Sequence, residues 1–314
     1  MRLVSLLVAT LAAAQAPAVN SVLARLDAYL AGYEPKLSEL IADETMQQQV
    51  RGTRIRGLSL DGSGGGSLRL RRHLVSEVAF IALPGNAGWL GFRHVKAVDN
   101  RPVSLSESSL TAGLKSPGYE TADALVKASA QHNLGLPRTT NLPNLPLEFL
   151  HRRNRSRLVP RLDGRERVRG TNTVRVVFLE RMVPTLIRNP DTGTDMPSVI
   201  RAWIDPDTGR LLRAEVNTFT SFEAKEFENS LRVEFAANKA VDILVPSEMR
   251  EVFPVERPAT GSGVATYSNY RRFQTSGRIV PIKDREVLGV AGRQRFKVFN
   301  GSFGSVLNGF TGER

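Results

Sequence analysis

The fold of this chain is decided by residues 231–235, Leu-Arg-Val-Glu-Phe, in which apolar and charged side chains alternate. Because successive side chains of a strand point to opposite faces of its sheet, the alternation indicates a strand with one buried and one solvated face. Similar apolar rows occur in residues 174–178 and 200–204. The second half of the chain is therefore predicted to be an antiparallel sheet.

Two copies of Pro-Asp-Thr-Gly, at residues 190–193 and 206–209, lie between predicted strands of this sheet. Each has the composition of a type I turn that closes through a left-handed glycine. Calcium binding is not indicated, because an EF-hand loop requires a glutamate at its twelfth position, where this chain has Ile200 and Val216. The two turns frame one strand of a predicted meander.

The N-terminal half begins with a predicted helix. Apolar side chains recur at three- and four-residue steps from Val22 to Ile41, with a kink or a junction of two helices expected near Pro35. The opposite face carries both charges rather than being uniformly basic, so this helix is expected to pack on a sheet and not on a membrane.

Further strands are predicted after this helix. Segments 54–60 and 68–83 flank the glycine-rich residues 62–67 and are predicted to form a hairpin. A phosphate-binding loop is not indicated, because residues 62–67 lack the lysine of that motif. A third strand is predicted at 89–95, followed by a turn at 99–102. A helix at 118–134, a proline-rich connector at 136–146 and a short apolar segment at 147–150 come next.

The N-terminus has the three parts of a secretory signal peptide: a basic start, the apolar run Leu3–Ala14 and small residues after it. The run is shorter than the roughly 18 residues that a transmembrane helix needs. Cleavage after Ala16 would leave Pro17 beside the scissile bond. Cleavage after Ala18, with Ala16 and Ala18 as the small pair, avoids this and is preferred.

The composition limits the types of site and the classes of partner that are expected. The chain has no cysteine, which excludes disulfides, thiolate metal sites and a lipid-anchored lipoprotein. Its formal net charge is +12, and export argues against nucleic acid as the counterpart, so anionic lipid headgroups or another acidic envelope component are expected. We predict a periplasmic or secreted protein, without a further segment that could span a membrane.

No catalytic constellation is recognised. The chain lacks the Gly-x-Ser-x-Gly elbow of serine hydrolases, and its four histidines do not have metal-ligand spacing. Neither a metal, a cofactor nor an enzymatic activity is therefore expected, although an unrecognised hydrolase stays as a third possibility. The histidines are His73, His94, His132 and His151.

A run of eight arginines is the sharpest local feature. Arginine suits phosphate and carboxylate groups, so the run predicts either an anion-docking surface or a solvated hairpin that turns at Asp163-Gly164. The eight residues are Arg152, Arg153, Arg155, Arg157, Arg161, Arg165, Arg167 and Arg169.

Residues 203–213, Trp-Ile-Asp-Pro-Asp-Thr-Gly-Arg-Leu-Leu-Arg, resemble the strand-turn-strand of the LolA/LolB lipoprotein-carrier and RseB-like superfamily. In that superfamily, too, a later strand such as 230–236 leads to a segment that ends in a proline, here 243–246. Two more strands would follow at 247–253 and 265–270. The resemblance covers residues 20–60 and 170–273. It rests only on turn-forming residues and on the alternation of apolar and polar side chains.

The resemblance implies a mainly β (α+β) fold, an antiparallel incomplete barrel or strongly curved sheet with an N-terminal helix and one inserted helical segment. Residues 19–273 would form one half-barrel-like domain with an insertion at about 100–165, and the glycine-rich basic tail 274–314 would be loosely ordered. An apolar concave face would hold an acyl chain or an apolar peptide, unless the same side chains fill a solid core. The candidate lining residues are Val176, Phe178, Trp203, Val233 and Phe235.

Overall fold

The computed structural model has two α-helices, α1 (Val19–Leu37) and α2 (Leu145–Leu150), and a 3₁₀ helix at Arg152–Arg157. No helix in the described part of the chain is both long and apolar enough to cross a membrane. The structure describes residues 19–52, 68–82, 89–103, 127–128, 130–135, 138–189, 192–255, 259–272 and 296–297.

Strands make up most of the described chain. They are β1 (Leu40–Gly52), β2 (Leu68–Ala82), β3 (Trp89–Val98), β4 (Arg101–Pro102), β5 (Leu158–Val168), β6 (Thr171–Glu180), β7 (Ile187–Arg188), β8 (Asp195–Met196), β9 (Ser198–Ile204), β10 (Leu211–Thr218), β11 (Asn229–Asn238), β12 (Ile243–Pro254), β13 (Thr260–Arg272) and β14 (Phe296–Lys297).

Eleven strands form one sheet in the order β4-β3-β2-β1-β13-β12-β11-β10-β9-β6-β5, and all neighbours in it are antiparallel. Strands β7, β8 and β14 form a small second sheet. The edges of the large sheet are β4 and β5, which follow one another in the chain. The connection between them must therefore travel from one edge of the sheet to the other.

The large sheet is strongly curved. Helix α1 contacts β2, β12 and β5, although β2 and β5 are eight positions apart in the strand order. Strands lie about 4.8 Å apart, so a flat sheet would separate these two by roughly 38 Å, far more than the width of one helix. The sheet must curl around α1, which gives the predicted mainly β fold with an incompletely closed barrel.

One face of the curled sheet, called here the inner face, holds the core. In β1 the buried positions alternate along the strand from Leu40 to Val50, while Thr45, Gln47 and Arg51 on the outer face are exposed. Side chains from α1, α2 and ten strands of the large sheet join in one continuous apolar cluster. Burial of this face against the helices stabilises the curl.

Helix α1 docks through the turn at 205–209, which was predicted from the sequence. The Gly209 N–H donates to the carbonyl oxygen of Asp205 at 2.9 Å, and Gly209 has a left-handed φ of 73°. A Cβ at Gly209 would lie 2.2 Å from the carbonyl oxygen of Arg25, so only glycine lets α1 approach this closely. The turn therefore joins two strands and also seats the helix.

Several boundaries differ from the prediction. The predicted helical stripe ends at Leu37, and Leu40 and Ile41 belong to β1, because there they pair with β13 and β2. Residues 19–37 form one helix that includes Pro35 rather than two helices. Residues 243–254 form one strand where two segments were expected.

Other predicted elements are present or lie outside the described residues. The strands at 68–83 and 89–95 are confirmed as β2 and β3, and the turn between β3 and β4 has left-handed Asp99 and Asn100. The predicted strand 54–60 lies outside the described residues, and so does most of the predicted helix 118–134.

Candidate functional site

The inner face has an apolar half. Four of the five predicted lining residues lie on it, with Val176, Phe178 and Val233 completely buried and Phe235 1% exposed. Val176 on β6 lies opposite Ala202 on β9, and the four lining residues all belong to the same core cluster. This region is the candidate apolar site.

The chain itself covers this half. Every residue of α2 is buried, and Leu147, Phe149 and Leu150 join the same cluster as the four lining residues. A cavity of only about 20 Å³ separates the covering segment from β10, β11 and β12, room for about one water molecule. In this conformation the apolar face is therefore filled by the protein's own side chains.

The other half of the inner face is polar. In β1 the alternation that buries Ala42 and Met46 also buries Glu44 and Gln48, and Glu251 is buried on β12. Polar groups removed from water without hydrogen-bond partners would cost several kcal/mol. These side chains must therefore be satisfied within the fold.

The segment between β4 and β5 supplies these partners. The Gln48 amide donates to Asn133 Oδ1 at 2.9 Å, and its Oε1 accepts the Leu134 N–H at 2.7 Å. Arg138 donates from Nη2 to Glu251 Oε1 at 3.0 Å and from Nη1 to the Leu134 carbonyl at 2.9 Å. We call residues 130–150, of which 136 and 137 lie outside the described residues, the covering segment.

A second buried ion pair lies beside the first. Arg93 and Glu44 both have fully buried side chains, and Arg93 Nη2 donates to Glu44 Oε1 at 2.9 Å. The same nitrogen donates to the carbonyl of Asn141 in the covering segment, at 2.9 Å. Burial alone would lower the pKa of Arg93, but the Glu44 carboxylate beside it raises that pKa and keeps the guanidinium charged.

Strand β13 makes room for this network. A Cβ at Gly263 would lie 2.6 Å from Glu251 Oε1, so a larger residue would displace the carboxylate that holds Arg138. On β3, a Cβ at Gly91 would lie 2.8 Å from the Cγ of Asn144. Neither Asn144 Oδ1 nor Nδ2 has a hydrogen-bond partner in the described part of the chain. The covering segment is therefore closely packed at Gly91 but not hydrogen-bonded by Asn144.

The fifth predicted lining residue, Trp203, is 5% exposed and belongs to the same core cluster, but its strand register differs from that of the other four. It is directly opposite Arg213 on β10 and Arg175 on β6, whereas its neighbour Ala202 lies opposite Val176. Trp203 therefore points to the outer face. There its Nε1 donates to Glu166 Oε2 at 2.7 Å, and the guanidinium of Arg213 lies 5.2 Å from its ring.

The arginine run divides into two groups. Arg153, Arg155 and Arg157 turn toward the protein and form ion pairs with Glu148, Asp27 and Glu180, respectively. Among the other five, Arg167 donates to the carbonyl of Gly170 and Arg169 to Ser247 Oγ. The exposed members of the run are Arg152, Arg161, Arg165, Arg167 and Arg169.

The predicted turn at Asp163-Gly164 is wrong. Strand β5 continues through these residues to Val168, and the pairing with β6 shifts between Leu162 and Arg165, which is a β-bulge. Gly164, with a positive φ of 114°, accommodates the bulge instead. The chain turns at Arg169-Gly170, where both residues have positive φ.

The polar network was missed by the sequence analysis. Its signal is present in β1, where Glu44 and Gln48 occupy the same phase as Leu40, Ala42 and Met46. Polar residues in an apolar phase indicate partners inside the fold. No comparable assembly for metal binding occurs, since no three His, Asp or Glu side chains come together within the described ranges.

Neither a protein-family profile nor a curated protein sequence matches the chain. Among solved structures, a DUF1329 family protein from Desulfovibrio piger is 15% identical, with 80% of this chain and 93% of that one covered and a TM-score of 0.31. A putative outer membrane lipoprotein-sorting protein domain from Vibrio parahaemolyticus is 10% identical over 78% and 91%, with a TM-score of 0.29. Lipoprotein LppX from Mycobacterium tuberculosis is 11% identical over 83% and 100%, with a TM-score of 0.27. Each of these three proteins is similar to the chain at 15% identity or less.

Proposed function

We propose that this chain is an exported envelope protein that binds a hydrophobic ligand, an acyl chain or a lipid-like molecule, on the inner face of its half-barrel. The observation that carries the proposal is the way this face is covered. A large apolar surface is closed by α2, a helix of six residues, which belongs to a connection held mainly by polar contacts to the other half of the face.

Helix α2 is the element whose place the ligand takes. A helix this short is not stable by itself in water, so its conformation depends on the surface it covers. Its removal would expose Val216 and Leu231 beside it, and these line the small cavity under the segment. The proposed ligand lies against Val176, Phe178 and the apolar residues next to them, with Val233 and Phe235 completing the lining.

An acyl chain that replaces α2 would bury more apolar surface than the helix does. Burying a large apolar side chain contributes about 2 kcal/mol, so the four of α2 in the core cluster together contribute on the order of 8 kcal/mol; they are Leu145, Leu147, Phe149 and Leu150. An acyl chain gains about 0.8 kcal/mol for each buried methylene, so about a dozen methylenes contribute on the order of 10 kcal/mol. The difference is available to offset the cost of association.

A reversible covalent lock tests the proposal. The double variant Gly91→Cys/Asn144→Cys places two thiols where the covering segment meets β3, at a spacing that suits a disulfide. The chain has no other cysteine, so no other disulfide competes. Oxidation is expected to abolish uptake of a fluorescent fatty acid, and reduction is expected to restore it.

The reduced double variant is the matched control, because it has the same sequence as the locked form. Circular dichroism checks that both forms are folded, and Asn144→Cys alone serves if Gly91→Cys disturbs β3. Equal uptake by the locked and reduced forms would exclude displacement of the covering segment. A folded wild-type protein that takes up no apolar probe, over a range of chain lengths, would overturn the proposed function.

A second candidate function is docking to anionic envelope surfaces through the arginine-rich hairpin. The observation that favours it is that Arg161 and Arg165 are exposed on edge strand β5, and no ion pair engages them within the described residues. Replacing both with glutamine is expected to weaken any binding to anionic vesicles and to make that binding less dependent on salt concentration. Undiminished binding would place the docking role elsewhere.

A further inference from the structure

A polar cleft of about 480 Å³ lies on the outer face, on the opposite side of the sheet from the covering segment. It is formed where β1 pairs with β2 and β13. Gln49 lies directly between Arg71 on β2 and Ser262 on β13, and Gln47 lies between His73 and Val264. The volume is within the range of small-molecule sites in proteins.

Positive charge is concentrated at one end of this cleft, which Arg69 and Arg71 line and beside which Arg51 lies. Arg51 on β1 lies directly opposite Arg69 on β2, and Arg71 follows two residues later on the same face. Like charges that lie directly opposite each other destabilise a sheet. The positive charges of Arg71 and Arg51 contribute to lowering the pKa of the exposed Arg69, which is the electrostatic signature of this crowding.

The arginines share a neutral acceptor. Arg51 Nη2 and Arg69 Nη2 both donate to Gln49 Oε1, at 3.3 Å and 3.2 Å, and the Gln49 amide donates to Ser262 Oγ at 3.1 Å. Within the described ranges, Asp99 is the one carboxylate that lines the cleft, and its Oδ1 accepts the backbone N–H of His73 at 2.8 Å. The described residues do not neutralise the three guanidinium groups.

The adjacent part of the same face behaves differently. Asp43 and Glu77 lie opposite each other, and both are neutralised by Arg271, while Glu77 also pairs with Lys96 at 2.8 Å. The same strands therefore balance their charges at one end and leave them unbalanced at the other. General basicity of the chain does not explain a difference between two patches of one surface.

We propose that the outer face of β1, β2 and β13 binds a phosphate-bearing ligand through Arg51, Arg69 and Arg71. The planar guanidinium donates two parallel hydrogen bonds to a phosphate, and a phosphate monoester carries close to two negative charges, which calls for more than one arginine. Gln47, Gln49 and Ser262 provide neutral hydrogen-bonding groups for the rest of such a ligand. This site does not depend on the proposed apolar site.

Two probes distinguish the possible sources of the phosphate. Binding of glycerol phosphate is measured by calorimetry, and binding to vesicles of equal parts phosphatidylglycerol and phosphatidylcholine is measured by sedimentation. Binding of the soluble probe alone identifies a free organophosphate, whereas vesicle binding identifies a lipid headgroup, and either supports the site. Binding of neither probe at low salt would overturn it.

The variant Arg69→Gln/Arg71→Gln is compared with Lys225→Gln/Lys239→Gln, which removes the same charge from exposed positions on either side of β11. The first is expected to weaken vesicle binding by roughly 30-fold, since each arginine near an anionic surface contributes about 1 kcal/mol. The second is expected to have a much smaller effect. Equal losses would mean that only net charge matters, and the proposal would fail.

Thermal unfolding supplies an independent readout. Because Arg69 is crowded by like charges, Arg69→Gln is expected to leave the melting temperature unchanged or to raise it. A clear decrease would show that the hydrogen bond from Arg69 to Gln49 outweighs the like-charge repulsion, and it would contradict the proposal. Uptake of the fluorescent fatty acid should be unaffected by these variants, so the outcome is separate from that of the apolar site.

Discussion

The guanidinium carbon of Arg138 lies 3.4 Å above the centre of the Phe253 ring. The ring covers one side of a charge that also contacts Glu251 and the carbonyl of Leu134, and both charged side chains are at most 4% exposed. Arg138 thus joins the covering segment to the inner face through a buried ion pair. Its removal leaves a carboxylate inside the protein.

Arg138→Met is therefore expected to lower the free energy of unfolding by about 3–5 kcal/mol, because it leaves the buried Glu251 without its cation. Urea denaturation measures the change. The matched control is Arg272→Met, which breaks an exposed pair with Glu39 and should cost less than about 1 kcal/mol. The double variant Arg138→Met/Glu251→Leu should be more stable than Arg138→Met, and a double variant that is less stable would contradict this explanation.

Glu180 gives the protein a specific pH dependence. Burial raises the pKa of this carboxyl to about 7 from its usual 4.5, although it accepts the N–H groups of Leu186 and Ser198 and lies 4.0 Å from Arg157. Between these two values the folded state binds more protons than the unfolded state. Stability should therefore fall as the pH rises through this window, by about 3 kcal/mol in total.

Glu180→Gln should remove this dependence. Urea unfolding of both proteins between pH 4.5 and 7.5, at constant ionic strength, measures the difference in slope. The glutamine is expected to leave one of its neighbouring donors unsatisfied, so the variant has a lower stability at acid pH but a flatter profile. Parallel profiles for the two proteins would show that Glu180 does not titrate in this range.

Trp203 should not affect ligand uptake. Trp203→Phe loses the hydrogen bond to Glu166 on the outer face and is expected to cost about 1–2 kcal/mol of stability, with the fatty-acid affinity unchanged. Phe235→Leu on the inner face should lower that affinity roughly fourfold, which is equivalent to the loss of about one methylene contact. A folded Trp203→Phe protein that fails to take up the probe would place the ligand on the wrong side of the sheet for our proposal.

The exported protein should begin at Val19. Cleavage after Ala18 removes the apolar run and leaves the first residue of α1 at the new N-terminus. Intact mass spectrometry of the envelope fraction gives the answer directly. Retention of Met1 and Arg2 in that fraction would contradict the signal-peptide prediction.

The local patterns predicted much of the fold. Alternation identified β6, β9 and β11, and the Pro-Asp-Thr-Gly turn identified the junction that seats α1. Alternation also implies that Trp203 and its neighbour Ala202 face opposite sides, so the misplacement of Trp203 on the inner face came from selecting residues by size alone.

The candidate site could not be predicted in the same way, because it depends on topology. Edges β4 and β5 are consecutive in the chain but lie at opposite ends of the sheet, and only the strand order reveals that their connection crosses the inner face. The partners of Gln48 and Glu251 are 85 and 113 residues away in sequence. A single sequence contains no local signal for contacts over such separations.

Among the described strands, β4 and β5 each have a neighbour on one side only, and this has a consequence for solubility. An exposed edge offers free N–H and C=O groups to another chain, which is the usual route to fibrils. Here β4 is only two residues long and contains Pro102, while β5 carries Pro160, a bulge and the exposed Arg161 and Arg165. Proline removes a donor, the bulge twists the strand and the arginines repel a second copy. The half-barrel can therefore remain open at high concentration without recruiting further strands into aggregates.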